Sequence, residues 1–288
     1  MPPAGLTFPG PQSYHVKMRC RLKFQGRRAP RVIFAVALLL GLPSAPAFGS
    51  PVPGPPASTF PASGPQDPGP AATDIAGGEA VAISDAPFAV QIAYDAAGAR
   101  VGCAGSQISA EWVIAARHCD SARLQSVRLG TPYLGVGGTV RTVAARYPSP
   151  AGDVLLLKLS APHAGQYASL SRNFPARGSA GRVFGWGDQA EGSGAMSFQI
   201  KAAGVTVSGQ GSDAVGGLSV RTQSRTGHPL SGDSGGPLVV AGKLVGVLST
   251  SSVLPGGNPS GFAGLYNDHA ALSRHLGWIA VITGVAPS

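Results

Sequence analysis

A serine flanked by glycines is the most informative feature of this 288-residue sequence. Ser234 lies in the stretch GDSGGPL, residues 232–238. Many such serines belong to plain turns. A serine on a tight, glycine-rich turn can also be a nucleophile, because small neighbours let backbone N–H groups face a developing oxyanion. A G-x-S-x-G pattern is moderate support for this second role, and the full seven-residue string is much stronger support.

A serine nucleophile needs a base, and the base needs an acid that orients it. His118 follows the apolar run Trp112–Ala116 and precedes Cys119. A structural role is the default for a single histidine, but this position after a strand favours a functional one. Asp153 directly precedes the apolar run Val154–Leu159. It is either a turn residue at a strand end or a buried, paired carboxylate, and taken alone it favours the turn.

Three cysteines are present, and two of them lie in the part of the chain that we expect to fold. Cys20 belongs to the basic leader and would leave with it. Cys103 and Cys119 most simply pair with each other in an exported domain. Two free thiols or a metal pair are the alternatives, but no third or fourth soft ligand lies at a suitable spacing.

These segments together resemble the trypsin/chymotrypsin family of serine endopeptidases, from Ile75 to about Ile282. The chain order of His118, Asp153 and Ser234 matches the family, as does the spacing of sixteen residues between the two cysteines. The motifs concerned are AARHC at 115–119 (family TAAHC), DVLL at 153–156 (DIAL), GDSGGPL at 232–238 (identical), GWG at 185–187 (identical), GLY at 264–266 (GVY) and IAGG at 75–78 (IVGG).

The resemblance implies a role for each residue of the site. Ser234 would attack the scissile carbonyl, His118 would accept its proton and later return it, and Asp153 would orient the imidazole. The N–H groups of Gly232 and Ser234 would form the oxyanion hole. Ser249 occupies the family position that hydrogen-bonds the buried aspartate. Cys103 and Cys119 correspond to the family's disulfide beside the catalytic histidine.

Activation by cleavage is a further implication of the resemblance. A cut before Ile75 would free an ammonium group that pairs with Asp233 and orders the oxyanion hole, so the uncut chain would be a zymogen. Asp74 precedes this bond, so an acid-selective enzyme could activate itself.

The chain also departs from the family. Arg117 replaces a small residue beside His118, the gaps between triad residues are short, and the family's other disulfides are absent. These departures remove no catalytic group, but they weaken any inference about the substrate.

The substrate pocket is where the resemblance says least. The family's pocket-floor position, six residues before the nucleophile, holds His228, so a preference for Arg or Lys is not expected. The other expected pocket residues are Ser231, Ser249, Thr250 and Ser251. Serines and a histidine in one pocket resemble acid-selective relatives, although their histidine lies at the position of Leu248. A preference for Glu or Asp is one hypothesis, and small or apolar side chains beside a neutral His228 are equally supported.

Short apolar runs separated by turn residues predict an all-β fold for this part of the chain. The family resemblance implies that this fold consists of two six-stranded antiparallel β-barrels of the chymotrypsin type. The predicted strands include 88–93, 112–116, 139–145, 154–159, 205–208, 238–240 and 244–248. Asp268–Ile282 has helical spacing and predicts a C-terminal helix that packs on a barrel. We expect His163, His269 and His275 at the surface or in this helix.

The first 74 residues read as export and linker sequence. Residues 1–47 contain a basic stretch, an 11-residue apolar run and a small-x-small cleavage pattern, which predict a signal peptide, with Met18 as an alternative start. A twin-arginine signal and an uncleaved anchor are the weaker alternatives. Residues 48–74, rich in Pro, Gly and Ala, are predicted to be a linker or pro-segment. The protease-like domain would then span 75–288, in a secreted or periplasmic protein.

The net charge of +9 does not predict nucleic-acid binding, because five of these charges precede residue 75 and no basic stripe with aromatics follows. We expect a monomer that acts on protein or peptide substrates, without cofactor, metal, nucleic acid or a stable membrane span. The alternative is a non-catalytic relative that binds a partner with the same barrels. An α/β esterase would need the order Ser, Asp, His, and a chaperone-protease would need an appended peptide-binding domain.

Overall fold

The computed structural model describes residues 75–252 and 261–288. The predicted signal peptide (1–47) and the linker or pro-segment (48–74) lie outside these residues. The strands of the N-terminal half are β1 (Glu79–Ala80), β2 (Ala89–Ala93), β3 (Val101–Gln107), β4 (Trp112–Ala115), β5 (Ser126–Leu129), β6 (Thr139–Pro148) and β7 (Leu155–Leu159). Those of the C-terminal half are β8 (Ala180–Gly185), β9 (Lys201–Ser212), β10 (Leu218–Ser224), β11 (Pro237–Val240), β12 (Lys243–Ser251) and β13 (Tyr266–Ala271).

Two antiparallel barrels form from these strands, which confirms the predicted fold. The first barrel closes in the order β2-β3-β4-β7-β6-β5. The second closes in the order β8-β9-β10-β13-β12-β11, because β8 pairs with β9, and β1 adds an edge strand beside β9. All the predicted strands are present, with bounds that differ by a few residues.

Strands β4 and β7 are apolar at nearly every position because both of their faces are covered. They pair antiparallel, with Val113 opposite Leu157 and Ile114 opposite Leu156. Val113 and Leu157 point into the first barrel, whereas Ile114 and Leu156 join a second cluster outside it that includes Ile279 of the C-terminal helix. This double burial fixes the ends of both strands, where His118 and Asp153 lie.

The C-terminal segment is only partly helical, so the prediction of a helix over Asp268–Ile282 was wrong in its first part. Strand β13 occupies Tyr266–Ala271 and pairs with both β10 and β12. A 3-10 turn follows, and the helix α1 spans Leu276–Thr283. The segment becomes a strand because it fills the gap between β10 and β12, where all residues from Asn267 to Ala271 are buried.

The expectation for two further histidines was also wrong. His269 lies on β13 and is fully buried, and burial lowers its pKa to about 3. His275 precedes α1, is also buried, and shares a hydrogen bond of 3.0 Å between its Nδ1 and Ser149 Oγ. His163 is half-buried, and its Nδ1 lies 3.1 Å from Gln107 Oε1.

The predicted disulfide between Cys103 and Cys119 is present. It joins β3 to the 3-10 turn Arg117–Cys119, which carries His118. A cross-link that closes a loop of this length contributes about 3 kcal/mol to stability in the chain-entropy account. The same bond makes a metal site at this point impossible for thiolate ligands, although both sulfurs lie within 4.8 Å of a His118 ring nitrogen.

Candidate active site

His118 is positioned by the turn that ends strand β4. The backbone N–H of Cys119 donates to the carbonyl of Ala116 at 3.1 Å, and the N–H of Asp120 donates to Arg117 at 2.9 Å. The Arg117 side chain donates to the carbonyl of Ser149 at 3.0 Å. Arg117, which stands where the family has a small residue, therefore stabilises the loop before Asp153.

Asp153 is fully buried and receives three hydrogen bonds at its carboxylate. The His118 backbone N–H donates to Oδ1 at 2.8 Å, and the His118 ring Nδ1 lies 2.7 Å from Oδ2. The Ser249 hydroxyl donates to Oδ2 at 2.6 Å. Burial favours the neutral acid, but the hydrogen bonds from His118 and Ser249 outweigh it and lower the pKa of Asp153.

The tautomer of His118 follows from this pairing. An ionised carboxylate only accepts hydrogen bonds, so Nδ1 carries the proton and Nε2 of the neutral ring keeps its lone pair. The His118 side chain is 34% exposed, whereas Asp153 is not exposed at all. The arrangement therefore places a basic nitrogen at the surface and the acid that orients it inside the protein.

A third buried residue, Asp213, supports Asp153, and nothing in the sequence identified it. Its Oδ2 accepts the backbone N–H of Asp153 at 2.8 Å, and its Oδ1 accepts the N–H groups of Val215 and Gly217. The next residue in the same turn, Ala214, donates its N–H to Ser249 Oγ at 2.9 Å. The short turn between β9 and β10 thus holds both Asp153 and Ser249.

Replacing Asp213 with Ala is expected to lower kcat on ester substrates about ten- to hundredfold, because the Asp153 backbone loses its anchor and the His118 ring loses its orientation. KM should change little, since Asp213 does not line the substrate cavity. The Asp213→Asn protein keeps one acceptor oxygen, so its kcat should lie between those of the wild type and the Asp213→Ala protein. A rise in KM at constant kcat, measured by steady-state kinetics, would contradict this positioning role.

Ser234 lies on a turn that only glycine neighbours allow. Gly232 and Gly235 both have positive φ, +93° and +79°, and a Cβ on Gly232 would approach Met196 Cε to 2.7 Å. The Ser234 carbonyl accepts the N–H of Ala104 in β3 at 2.8 Å, which ties the turn to the first barrel. Among the described residues, the N–H groups of Gly232 and Ser234 donate to no protein acceptor. Both remain available to an oxyanion.

The turn of Ser234 lies against the turn of His118. The sulfur of Cys119 is 3.7 Å from the Ser234 carbonyl oxygen. The N–H of Gly235 donates to the carbonyl of Leu248 at 2.8 Å, one residue before Ser249. The turns that carry His118 and Ser234 therefore lie next to each other, and Asp153 is joined to this region through His118 and Ser249.

Asp233 is buried next to the Ser234 turn. Its carboxylate accepts the N–H of Gly187 at 2.7 Å and that of Leu230 at 3.0 Å. Burial raises the pKa of Asp233 to about 7, although these two hydrogen bonds oppose the shift. Among the described residues it makes no salt bridge. Ile75 is fully buried in the core of the second barrel.

A cavity of about 180 Å³ opens beside Ser234. Of the predicted pocket residues, Ser231, Ser249, Thr250 and Ser251 line it. Four other lining residues were not predicted for it: Glu191, Leu230, Leu248 and Ser252. Glu191 reaches the cavity from the loop after β8, and no motif in that loop points to it.

His228 does not line this cavity. It is fully buried behind the wall, with Nδ1 2.8 Å from Ser224 Oγ and Nε2 2.6 Å from the carbonyl of Ser252. Burial lowers its pKa, although the Ser252 carbonyl and the charge of Glu191 oppose the shift. Both ring nitrogens of a neutral His228 are therefore occupied.

Comparison with known proteins places these features in a family. A family model described as trypsin matches residues 75–272, which include both barrels and all three residues of the predicted triad. The chain belongs to the trypsin family. Trypsin alpha of Drosophila erecta is 32% identical over 221 residues, covering 69% of this chain and 84% of the relative. Trypsin alpha of Drosophila melanogaster matches with the same identity and coverage.

Two solved structures share the fold of this chain. Neuropsin, a serine protease of mouse brain, superposes with a TM-score of 0.60 at 22% identity, covering 72% of this chain and 98% of neuropsin. Human heparin binding protein gives 0.60 at 23% identity, covering 74% and 98%. This trypsin-family chain has, in its described residues, no helix of the length and apolar character that crossing a bilayer requires.

Proposed function

We propose that this chain is an exported serine endopeptidase that cleaves peptide bonds through an acyl-enzyme. The observation that carries the proposal is the pairing of the partly exposed His118 with the buried Asp153, with 2.7 Å between Nδ1 and Oδ2 and Ser249 as an additional donor. A surface histidine oriented in this way is what a general base needs. An export route rests on the signal peptide predicted over residues 1–47.

In the proposed reaction, Ser234 Oγ forms a bond to the scissile carbonyl carbon while its proton passes to His118 Nε2. The N–H groups of Gly232 and Ser234 stabilise the resulting oxyanion. His118 then gives the proton to the leaving amine, the C–N bond breaks, and the acyl group stays on Ser234. Water, deprotonated by His118, releases the acid product and restores the serine.

Labelling with an organophosphorus reagent tests this function directly. Such a reagent reacts with an activated serine, so it should attach to Ser234 and to no other serine in the processed protein. Mass spectrometry of the labelled peptide identifies the site. A protein that stays unlabelled at Ser234 would match the alternative of a non-catalytic, protease-like binding protein.

For the cleaved side chain, we propose a preference for small or uncharged residues over acidic ones. An acidic side chain in the cavity would find no cation in His228, because both nitrogens of this ring are occupied and its neutral form is favoured. Glu191 is the charged residue of the described lining, so this lining supplies no cation to pair with an acid. The hydroxyl groups of Ser231, Ser251 and Ser252 suit a small or polar side chain.

Ester substrates of Ala, Phe, Glu and Arg that share one leaving group test this preference. We expect kcat/KM for Glu to be lowest, because the described lining of the cavity offers its carboxylate no cation. A wild-type rate for Glu above that for Ala would contradict the proposal and restore the acidic hypothesis.

We also propose that the uncut chain is a zymogen. Cleavage after Asp74 would turn the amide nitrogen of Ile75 into an ammonium, and Asp233 is a buried carboxyl that such a cation would stabilise. Ile75 also has φ of +43°, which is unfavourable for a β-branched residue. A free N-terminus releases that constraint.

A further inference from the structure

A second cavity, of about 320 Å³, lies on the other side of the site and is lined in part by His118. It shares no lining residue with the cavity beside Ser234. Two arginines, Arg100 and Arg123, line it together with Tyr94 and Cys119. Neither the catalytic roles nor the family motifs account for this pair of cations.

The floor of this second cavity is held in place by the disulfide and an aromatic ring. Tyr94 is half-buried, and its hydroxyl donates to the carbonyl of Cys119 at 3.1 Å. Its ring covers Gly102, where an added Cβ would come within 2.6 Å of Tyr94 Cε2. The two arginines therefore flank a preorganised surface.

Among the described residues, the lining of the second cavity includes two arginines and no carboxylate, and the two nearby acids have other partners. Asp120 pairs with Arg146 at 2.9 Å. Asp95 accepts backbone N–H groups in the turn between β2 and β3, including that of Arg100 at 3.2 Å. Arg100 and Arg123 are both exposed, and within the described part of the chain neither guanidinium makes an ion pair.

The proposed chemistry decides which part of a substrate reaches this cavity. The acyl half stays on Ser234, which lines the first cavity. The leaving amine must lie close to His118, which gives it a proton and lines the second cavity. The residues after the cleaved bond therefore pass along His118 towards the arginines.

We propose that Arg100 and Arg123 form a subsite that selects substrates with Glu or Asp at the first or second position after the cleaved bond. This inference rests on the proposed endopeptidase function and names one of its specificity determinants. A carboxylate can pair with either guanidinium through charge-assisted hydrogen bonds. Because both arginines are exposed, the preference should be moderate and should weaken as salt is added.

Quenched-fluorescence peptides with one acyl half and with Glu, Gln or Lys at those two positions test the subsite. Every variant carries an engineered cleavage site before Ile75 and is titrated for active sites. We expect kcat/KM for Glu to exceed that for Gln by about fivefold at low salt. The Arg100→Ala/Arg123→Ala protein should lose this preference, and the Arg177→Ala protein, changed at an exposed arginine outside both cavities, should keep it.

An ester substrate with a small alcohol leaving group separates the subsite from the function as a whole, because it does not reach the second cavity. All of the arginine variants should hydrolyse it at the wild-type rate. If wild type hydrolyses the ester but treats Glu and Gln peptides alike, the subsite is overturned while the protease function stands. If wild type hydrolyses neither ester nor peptide, both proposals fail.

Discussion

The Ser234→Ala protein is expected to lose activity by a factor on the order of 10⁶ in kcat. Without Oγ no acyl-enzyme can form, and His118 has no proton to accept from a nucleophile. The remaining N–H groups of the oxyanion hole and the binding cavity would support only a small residual rate over water. Hydrolysis of a small ester by the processed protein, measured before and after the substitution, gives the ratio.

Ser231→Ala is the matched control for this experiment. Ser231 lines the same cavity, three residues away, but has no place in the proposed proton transfers. Its removal should change kcat by a few-fold at most. If Ser234→Ala and Ser231→Ala behaved alike, Ser234 would not be the nucleophile. The Ser234→Ala protein should keep its fold. The hydrogen bond that Ser234 makes within the chain uses its backbone carbonyl, which the substitution leaves in place.

Cleavage before Ile75 is expected to raise kcat/KM at least about a hundredfold. Each N–H donor of an ordered oxyanion hole contributes a factor of about that size to the rate. An engineered site before Ile75 lets the cut be made at will. The same cut in the Asp233→Asn protein should give a much smaller gain, since the new ammonium would meet a neutral amide. Equal activity of cut and uncut chains, assayed after active-site titration, would exclude a zymogen.

The pH dependence of stability gives a second view of Asp233. In the uncut chain its pKa of about 7 lies above the ordinary value of about 4, so the folded state holds a proton that the unfolded chain has lost. Its contribution to stability is therefore fully present below pH 4 and declines as the pH rises towards 7. Cleavage supplies a cation that favours the carboxylate, so this decline should disappear in the cut protein.

Thermal unfolding at pH 5 and pH 8, in the Ser234→Ala background to prevent autolysis, measures this difference. The uncut chain should lose more stability between the two values than the cut chain. The uncut Asp233→Asn protein should lack this part of the pH dependence. If cut and uncut chains lost the same stability, the new N-terminus would not reach Asp233.

The sequence by itself determined the parts of the molecule that depend on local pattern. The runs at 112–116 and 154–159 predicted β4 and β7 because a strand covered on both faces must be apolar throughout. The predicted positions of His118 and Asp153 followed, since each adjoins one of these strands. The pairing of Cys103 with Cys119 also needed no tertiary information, because an exported domain with two cysteines most simply joins them.

Only the tertiary structure decided which distant groups meet. His228 was expected at the pocket, but its ring is buried and hydrogen-bonded to Ser224 and Ser252. This removes the support for an acidic side chain at the cleaved bond. Asp213 reaches Asp153 across 60 residues of sequence through a turn of common residue types. The predicted helix began at Asp268, but Asp268–Ala271 form a strand, because two neighbouring strands offer backbone hydrogen bonds on both sides. Pairing and burial by residues far away in the chain are not encoded in a local pattern.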